Sequence, residues 1–361
     1  MAILDLSYLT CLSSLQACPT HLRELRCAYT IVADLSPLAA CTALLALDVS
    51  HVGTLTSLQG CPTSLVKLTC RRSGVTSLLP LAACTQLTTL DCSHSAQLRS
   101  IYGCPGSLQE LDCSSTGVDS LAPLAVCTRL AKLGLKSLTE LASMEGLPPS
   151  IEEMTVVRAR VQHLGPLAAC TRLRELSLHT LANLRNLGGL PASLTVLAVA
   201  DCVGVTSLTP LAACTGLRSL TCLTLPSLTS LAGLPSDSLT TLAVCICDGV
   251  HDLQPLGLCT RLTELRLLIM RQLRSLRGLP ASLVALVCAE CPSLGCLAPV
   301  LAACPLLQTL KIFNQEQQAG NNVDPRSNCA AGRQAVEQLV AAWDMASNAI
   351  ADTVLGAQHG A

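Results

Sequence analysis

A chain of 361 residues, half of them apolar, holds more core-forming material than one small domain needs, yet its only aromatic residues are Tyr8, Tyr29, Tyr102, Phe313 and Trp343. With 23 basic and 24 acidic residues the formal charge is −1, which excludes a long-range field able to gather nucleic acid or an anionic membrane. No apolar run reaches the ~18–20 residues of a membrane helix, and residues 1–16 lack the basic and apolar segments of a secretion signal. The expectations are an aliphatic core laid down in thin layers and a soluble, cytoplasmic chain with no nucleic-acid partner and no membrane insertion.

In chain order, the pattern L-x-x-L-x-[LVC] or a close variant starts at Leu22, Leu44, Leu65, Leu87, Leu108, Leu130, Ile151, Leu173, Leu194, Leu217, Leu239, Leu262, Leu283 and Leu307, after a partial copy at Met1. Successive starts lie 21 to 24 residues apart. Two kinds of unit alternate. One runs from its strand through a segment such as Thr116 to Cys127 and ends in P-L-A-x-C-T; the other returns by a shorter path such as Leu187 to Ser193 and ends in G-[CL]-P-x-S. The true period is a pair of units.

This pattern resembles the leucine-rich-repeat superfamily, L-x-x-L-x-L-x-x-N/C-x-L, over residues 1–313. The P-L-A-x-C-T units are similar to cysteine-containing repeats, and the L-P-x-S-L returns to short bacterial-type repeats. The resemblance implies an α/β solenoid, a horseshoe or arc with one long parallel β-sheet on its concave face and short 3₁₀ or helical turns on its convex face. It implies no particular activity. Where the family carries asparagine, nine residues into each unit, this chain has Ser73, Ser95 and Thr116, then Cys202, Cys247 and Cys291, so hydroxyls and thiols replace an amide ladder.

The strand's period of two places the fourth and sixth residues of a unit, Leu111 and Cys113 for example, in the core, and the third, fifth and seventh, Glu110, Asp112 and Ser114, on the other face. A lone unit buries too little apolar surface to offset the ordering of its backbone, so stability comes from stacking neighbours. Fourteen strands spaced by about 4.8 Å span on the order of 65 Å. In the returns, Ser36 followed by Pro37 predicts a capped turn of helix or 3₁₀-helix, and the G-[CL]-P returns are expected to be irregular or 3₁₀.

Beyond the repeats, residues 314–330 read as a polar linker and 331–356 as an amphipathic C-terminal helix, with Val336, Leu339, Val340, Trp343 and Ile350 on one face. That helix either caps the solenoid or docks into a partner groove. At the other end the first layer has no polar cap, which suggests self-association through the N-terminal edge or a longer array.

Nineteen of the 23 cysteines fall on three repeat positions. Ten precede the next strand (Cys18, Cys41, Cys61, Cys84, Cys104, Cys127, Cys170, Cys214, Cys259, Cys304), six hold the sixth position (Cys27, Cys70, Cys92, Cys113, Cys222, Cys288), and three the ninth. Sibling units carry Leu, Val, Thr or Ala there, so the thiols read as small buried hydrophobes in a reducing compartment. Cys288-x-x-Cys291 has a zinc-like spacing, but the repeat register accounts for both and no second pair follows. No phosphate-loop, metalloprotease or nucleophile-elbow motif occurs. Neither catalysis, metal nor cofactor is expected.

The concave face is therefore the candidate site, with a protein as its partner. Its first half is polar, with Asp48, Asp91 and Asp112 recurring at the fifth position. From the ninth unit the seventh position turns apolar, reading Ala200, Leu223, Cys245, Leu268, Ala289 and Phe313, joined by Val196, Val284 and Val287. Leu223, Leu268, Val287 and Phe313 are expected beneath a partner or the tail, or else half-covered by their own loops. A secondary charged patch comprises Lys132, Lys136, Glu153, Arg174, Glu175 and His179. The leading reading is a non-enzymatic interaction module. Its rivals are an assembly protein stacking through the first repeat and the recognition part of a ligase-adaptor or receptor system.

Overall fold

A computed structural model describes residues 3–295 and 298–313. All its strands belong to one parallel sheet of 15, hydrogen-bonded in the order in which they occur in the chain, and the chain forms two compact units. The first unit carries β1 (Ile3–Asp5), β2 (Glu24–Arg26), β3 (Ala46–Asp48), β4 (Lys67–Thr69), β5 (Thr89–Asp91), β6 (Glu110–Asp112), β7 (Lys132–Lys136) and β8 (Glu153–Val157). The second carries β9 (Glu175–His179), β10 (Val196–Ala200), β11 (Ser219–Leu223), β12 (Thr241–Cys245), β13 (Glu264–Leu268), β14 (Ala285–Ala289) and β15 (Thr309–Phe313). Every predicted repeat has its strand, and the partial copy at Met1 supplies β1. The expected C-terminal helix and linker lie outside the described residues.

Each layer contributes an aliphatic file to the core. Leu108, Leu111, Cys113, Val118, Leu121, Leu124 and Cys127 are all fully buried in one layer, and each next layer stacks an equivalent set upon them. Cysteine behaves here as a compact apolar filler with a weak donor. Among the described residues every cysteine is a free thiol, and most are buried. Burial pushes the buried thiols up, Cys27, Cys61 and Cys288 to about 12, so these three are protonated at neutral pH.

The letters of the two repeat types are explained by contacts between unlike layers. In the P-L-A-x-C layers, thiols lie at hydrogen-bonding distance from the proline carbonyl of the preceding layer: Cys41 to Pro19 (3.8 Å), Cys84 to Pro62 (3.7 Å), Cys127 to Pro105 (3.5 Å). In the G-[CL]-P-x-S layers the serine hydroxyl donates to the carbonyl of the preceding layer's first leucine: Ser64 to Leu44 and Ser107 to Leu87, both 2.7 Å. The glycine of those returns has a φ of +88 to +98° and lies backbone to backbone against the preceding layer's 3₁₀ turn. A Cβ on Gly103 would stand 2.4 Å from Leu79 Cα, so only glycine fits.

The 3₁₀ turns, Ser36–Ala40 and Leu79–Ala83 among them, correct one expectation. Ser36 does not cap its turn; the residue at the cap is Leu35, without a side-chain bond. The side chain two residues before the turn's first residue accepts instead, Asp34 from the Ser36 N–H (2.8 Å) and Ser77 from the Leu79 N–H (3.2 Å). A short polar group placed before the turn satisfies an N–H that the 3₁₀ ladder leaves open.

At the ninth position the substitutes for asparagine perform its task. Thr30 and Thr116 hydroxyls donate to the carbonyls of Cys27 (2.8 Å) and Cys113 (2.6 Å), Ser95 bonds both Ser73 (3.1 Å) and the Cys70 carbonyl (3.1 Å), and the Cys202 and Cys247 thiols reach Ala200 and Cys245 carbonyls, both 3.3 Å. All of these side chains are buried, and Thr30, Ser95, Thr116, Cys202 and Cys247 each satisfy a backbone carbonyl near the end of a strand.

Candidate functional site

The open face of the sheet carries the third, fifth and seventh positions, and it is less exposed than alternation alone implies. Glu110 and Asp112 are half-buried, but at the seventh position Ala28, Ser50, Ser93, Ser114, Ala200 and Leu268 are buried. Parallel neighbours at about 4.8 Å stand shoulder to shoulder and shade one another from the side. Short side chains in such a row have little free surface.

In the first unit, Lys132 and Glu153 are Cα partners on β7 and β8, their charged groups 3.2 Å apart and each about a quarter exposed. The Lys136 N–H donates to Ser114 Oγ at 3.0 Å. In the second unit Arg174 is exposed, while Glu175 and His179, on β9, are half-buried. Part of the predicted charged patch is thus already internally paired.

The fifth-position aspartates form a distinct feature of the first unit. Asp48, Asp91 and Asp112 each accept the backbone N–H of the serine two residues on, at 2.9, 3.0 and 2.8 Å. Asp91 is only 4% exposed and lies opposite Asp112 across β5 and β6. Burial, then the neighbouring Asp112 charge, raise its carboxyl to about 6 despite the Ser93 hydrogen bonds and Arg71, whose Nε lies 3.4 Å away.

The apolar row of the second unit is in register: Ala200 pairs with Leu223, Leu223 with Cys245, Cys245 with Leu268, and Leu268 with Ala289, whose next partner is Phe313. Val196, Leu223, Val284 and Val287 are half-buried. Leu268 is only 7% exposed, already covered by the chain itself, which leaves a partner little of it to bury. Val336, Leu339, Val340, Trp343 and Ile350 lie outside the described residues.

Attention to the two-residue period missed the eighth position, just past each strand. Fourteen non-glycine residues there, from Tyr8 to Glu290, have φ between +50 and +65°. This left-handed conformation is uncommon for L residues and more so for β-branched ones such as Ile246 and Ile269. Twelve of them are anchored by an N–H that donates to the seventh-position carbonyl of the next layer, as Tyr29 to Ser50 (3.0 Å), His51 to Arg71 (2.7 Å) and Ile246 to Leu268 (2.9 Å). In the second unit this adds the half-buried Ile246 and Ile269 beside the apolar row. In the first it displays Tyr8, Tyr29, His51, Arg72 and His94. Recurrence of large planar groups at one repeat position is the signal that would have revealed them.

Among the described residues no group of three or more His, Cys, Asp or Glu is placed to hold a metal ion, and no helix is long and apolar enough to cross a membrane. No protein-family model and no curated protein matches the sequence. Solved structures do match. The internalin InlF of Listeria monocytogenes aligns with a TM-score of 0.56 and 19% identity over 87% of this chain and 86% of that chain. The functional domain of InlJ from the same organism, described as including a cysteine ladder, aligns at 0.50 and 20% over 76% of this chain and 62% of its own. TLR13, solved in complex with ssRNA13, aligns at 0.52 and 17% over 87% of this chain. The matches span 54% of the TLR13 chain and less than two thirds of the InlJ domain. At these identities the likeness is one of fold.

Proposed function

We propose that this chain, which has the leucine-rich-repeat fold by its periodicity, its 15-stranded parallel sheet and its structural neighbours, is a non-enzymatic interaction module that captures a protein partner on the open, concave face of that sheet. The observation that carries this reading is the in-register apolar row of β10–β14, whose half-buried Leu223, together with the half-buried Val287 two residues before Ala289 on β14, keeps surface that contact would remove from water. Contiguous apolar surface on an otherwise polar face favours association. The buried, hydrogen-bonded thiols suit a reducing interior, and a cytoplasmic location belongs to the same reading.

The test is affinity capture with the intact chain and with a Leu223→Asp, Val287→Asp double variant. Two charges placed in the contact should reduce recovery of the partner by about tenfold or more, with an unchanged circular dichroism spectrum. Undiminished capture by the folded double variant would remove the apolar row from the site. Leu268 is unsuited to this experiment, because its neighbours on the open face already cover it and a charge there would be buried with it.

A further inference from the structure

The eighth-position column of the first unit has a character of its own. Five successive layers place Tyr8, Tyr29, His51, Arg72 and His94 in line, and the next two layers of the unit carry Ser115 and Ser137. Tyr8 and Tyr29 rings stack at 4.7 Å and 11°, and Tyr29 and His51 at 4.1 Å and 15°, with Tyr29 Oη 3.1 Å from His51 Nε2. Tyr8 is 71% and Tyr29 40% exposed, and Arg72 and His94 are exposed as well.

Charge defines what such a column can take. Among the described residues Arg72 forms no ion pair, whereas Arg71 beside it is held by Asp91. His51 and His94 are both pushed below the usual imidazole range, by burial first and then by the Arg72 and Arg71 charges, so both imidazoles lie in the field of that guanidinium pair. The aspartates at the base of the column, Asp48 and Asp112, have an oxygen committed to the Ser50 and Ser114 N–H groups.

We propose that this column is a docking strip for an acidic, extended peptide segment, its carboxylates taken by the Arg72 guanidinium, the ring-edge donors of Tyr8 and His94, and the donor that the bonded Tyr29–His51 pair leaves free. The proposal rests on the reading of the chain as a protein-binding module and names the chemistry of its partner. The column's length, four steps of about 4.8 Å, matches about six residues of extended chain. An acidic peptide is favoured over a single-stranded nucleic acid for two reasons. The rings of Tyr8, Tyr29 and His51 are stacked on one another and present edges carrying donors, whereas nucleobases need open faces. One unpaired guanidinium is also far short of the row of cations that a phosphate backbone calls for.

Fluorescence anisotropy on the full chain tests this with two labelled probes, a glycine-flanked run of six glutamates and a hexauridylate. The peptide should bind, weaken by about tenfold in Arg72→Glu, and remain unaffected in Arg158→Glu, which reverses an exposed arginine at the same repeat position outside the column. Both variants alter exposed side chains, and circular dichroism confirms their fold. No binding of the peptide, equal weakening by both variants, or tighter Arg72-dependent binding of the hexauridylate would each overturn the proposal. The Leu223 and Val287 experiment reads a different surface, so failure of the strip and failure of the module reading remain separate results.

Discussion

Gly103→Ala should lower the urea midpoint of unfolding by the equivalent of about 3 kcal/mol, whereas Gly53→Ala should leave it unchanged or raise it by up to about 1 kcal/mol. The two glycines differ in conformation and in surroundings. Gly103 has a φ of +98°, and an added methyl would fall 2.4 Å from Leu79 Cα and 2.6 Å from Leu79 N. Backbone atoms cannot rotate aside as a side chain can, so the layers must part. At Gly53 nothing lies within 4 Å of the added carbon and φ is not positive, and alanine there only restricts the unfolded chain. Because a layered array can lose stability locally, amide exchange around Leu78 to Ala83 should accelerate together with the fall in midpoint. Equal effects of the two substitutions would show that the returns are not packed as described.

Asp91→Asn should make the protein more stable at pH 7 by about 2 kcal/mol, and should make almost no difference below about pH 4. A carboxyl raised to about 6 in the folded chain binds its proton more tightly there than when unfolded. Its contribution to stability is therefore fully present below the unfolded value near 4 and is lost as pH rises through about 6. Above that, the folded state carries an ionised carboxylate that is only 4% exposed, beside Asp112. Asparagine keeps the acceptor for the Ser93 N–H and removes the charge, although it also gives up the ion pair to the half-exposed Arg71, and the expected gain allows for that loss. Thermal midpoints of parent and variant across pH 4 to 7 give the difference directly. A gap that is constant with pH, or an asparagine variant less stable at pH 7, would refute the assignment.

The layered architecture was legible because leucine recurs at intervals no other arrangement requires. Leu111 and Cys113 point into the core and Glu110 and Asp112 away from it, as a period of two demands. What the period does not contain is shading between neighbours. Ser93 and Leu268 occupy the same repeat position on the open face, yet both are buried, because the distance between strands rather than the polarity of the residue sets their exposure. The Ser36 cap differs for a related reason: a hydroxyl before proline is a helix signal, but in this 3₁₀ turn the open N–H is that of Ser36 itself, and Asp34, two residues earlier, takes it. The eighth position escaped notice because a left-handed residue past a strand belongs to neither strand nor helix periodicity. Only stacking one layer on the next brings Tyr29 and His51, 22 residues apart, into contact.

The fit of each glycine return against a 3₁₀ turn imposes a parity on the chain. Gly60, Gly103, Gly146, Gly189, Gly233 and Gly278 meet Ser36, Leu79, Ala122, Gly165, Thr209 and Gln254 respectively, always one type of layer against the other. Removing a single layer would seat two returns of the same type together, and removing a turn-bearing one would leave a glycine facing no turn. Excising two, such as residues 108–150, would restore the alternation. An ancestor of this chain could thus grow or shrink by recombination only in even steps, and the number of layers is constrained by geometry before any partner selects it.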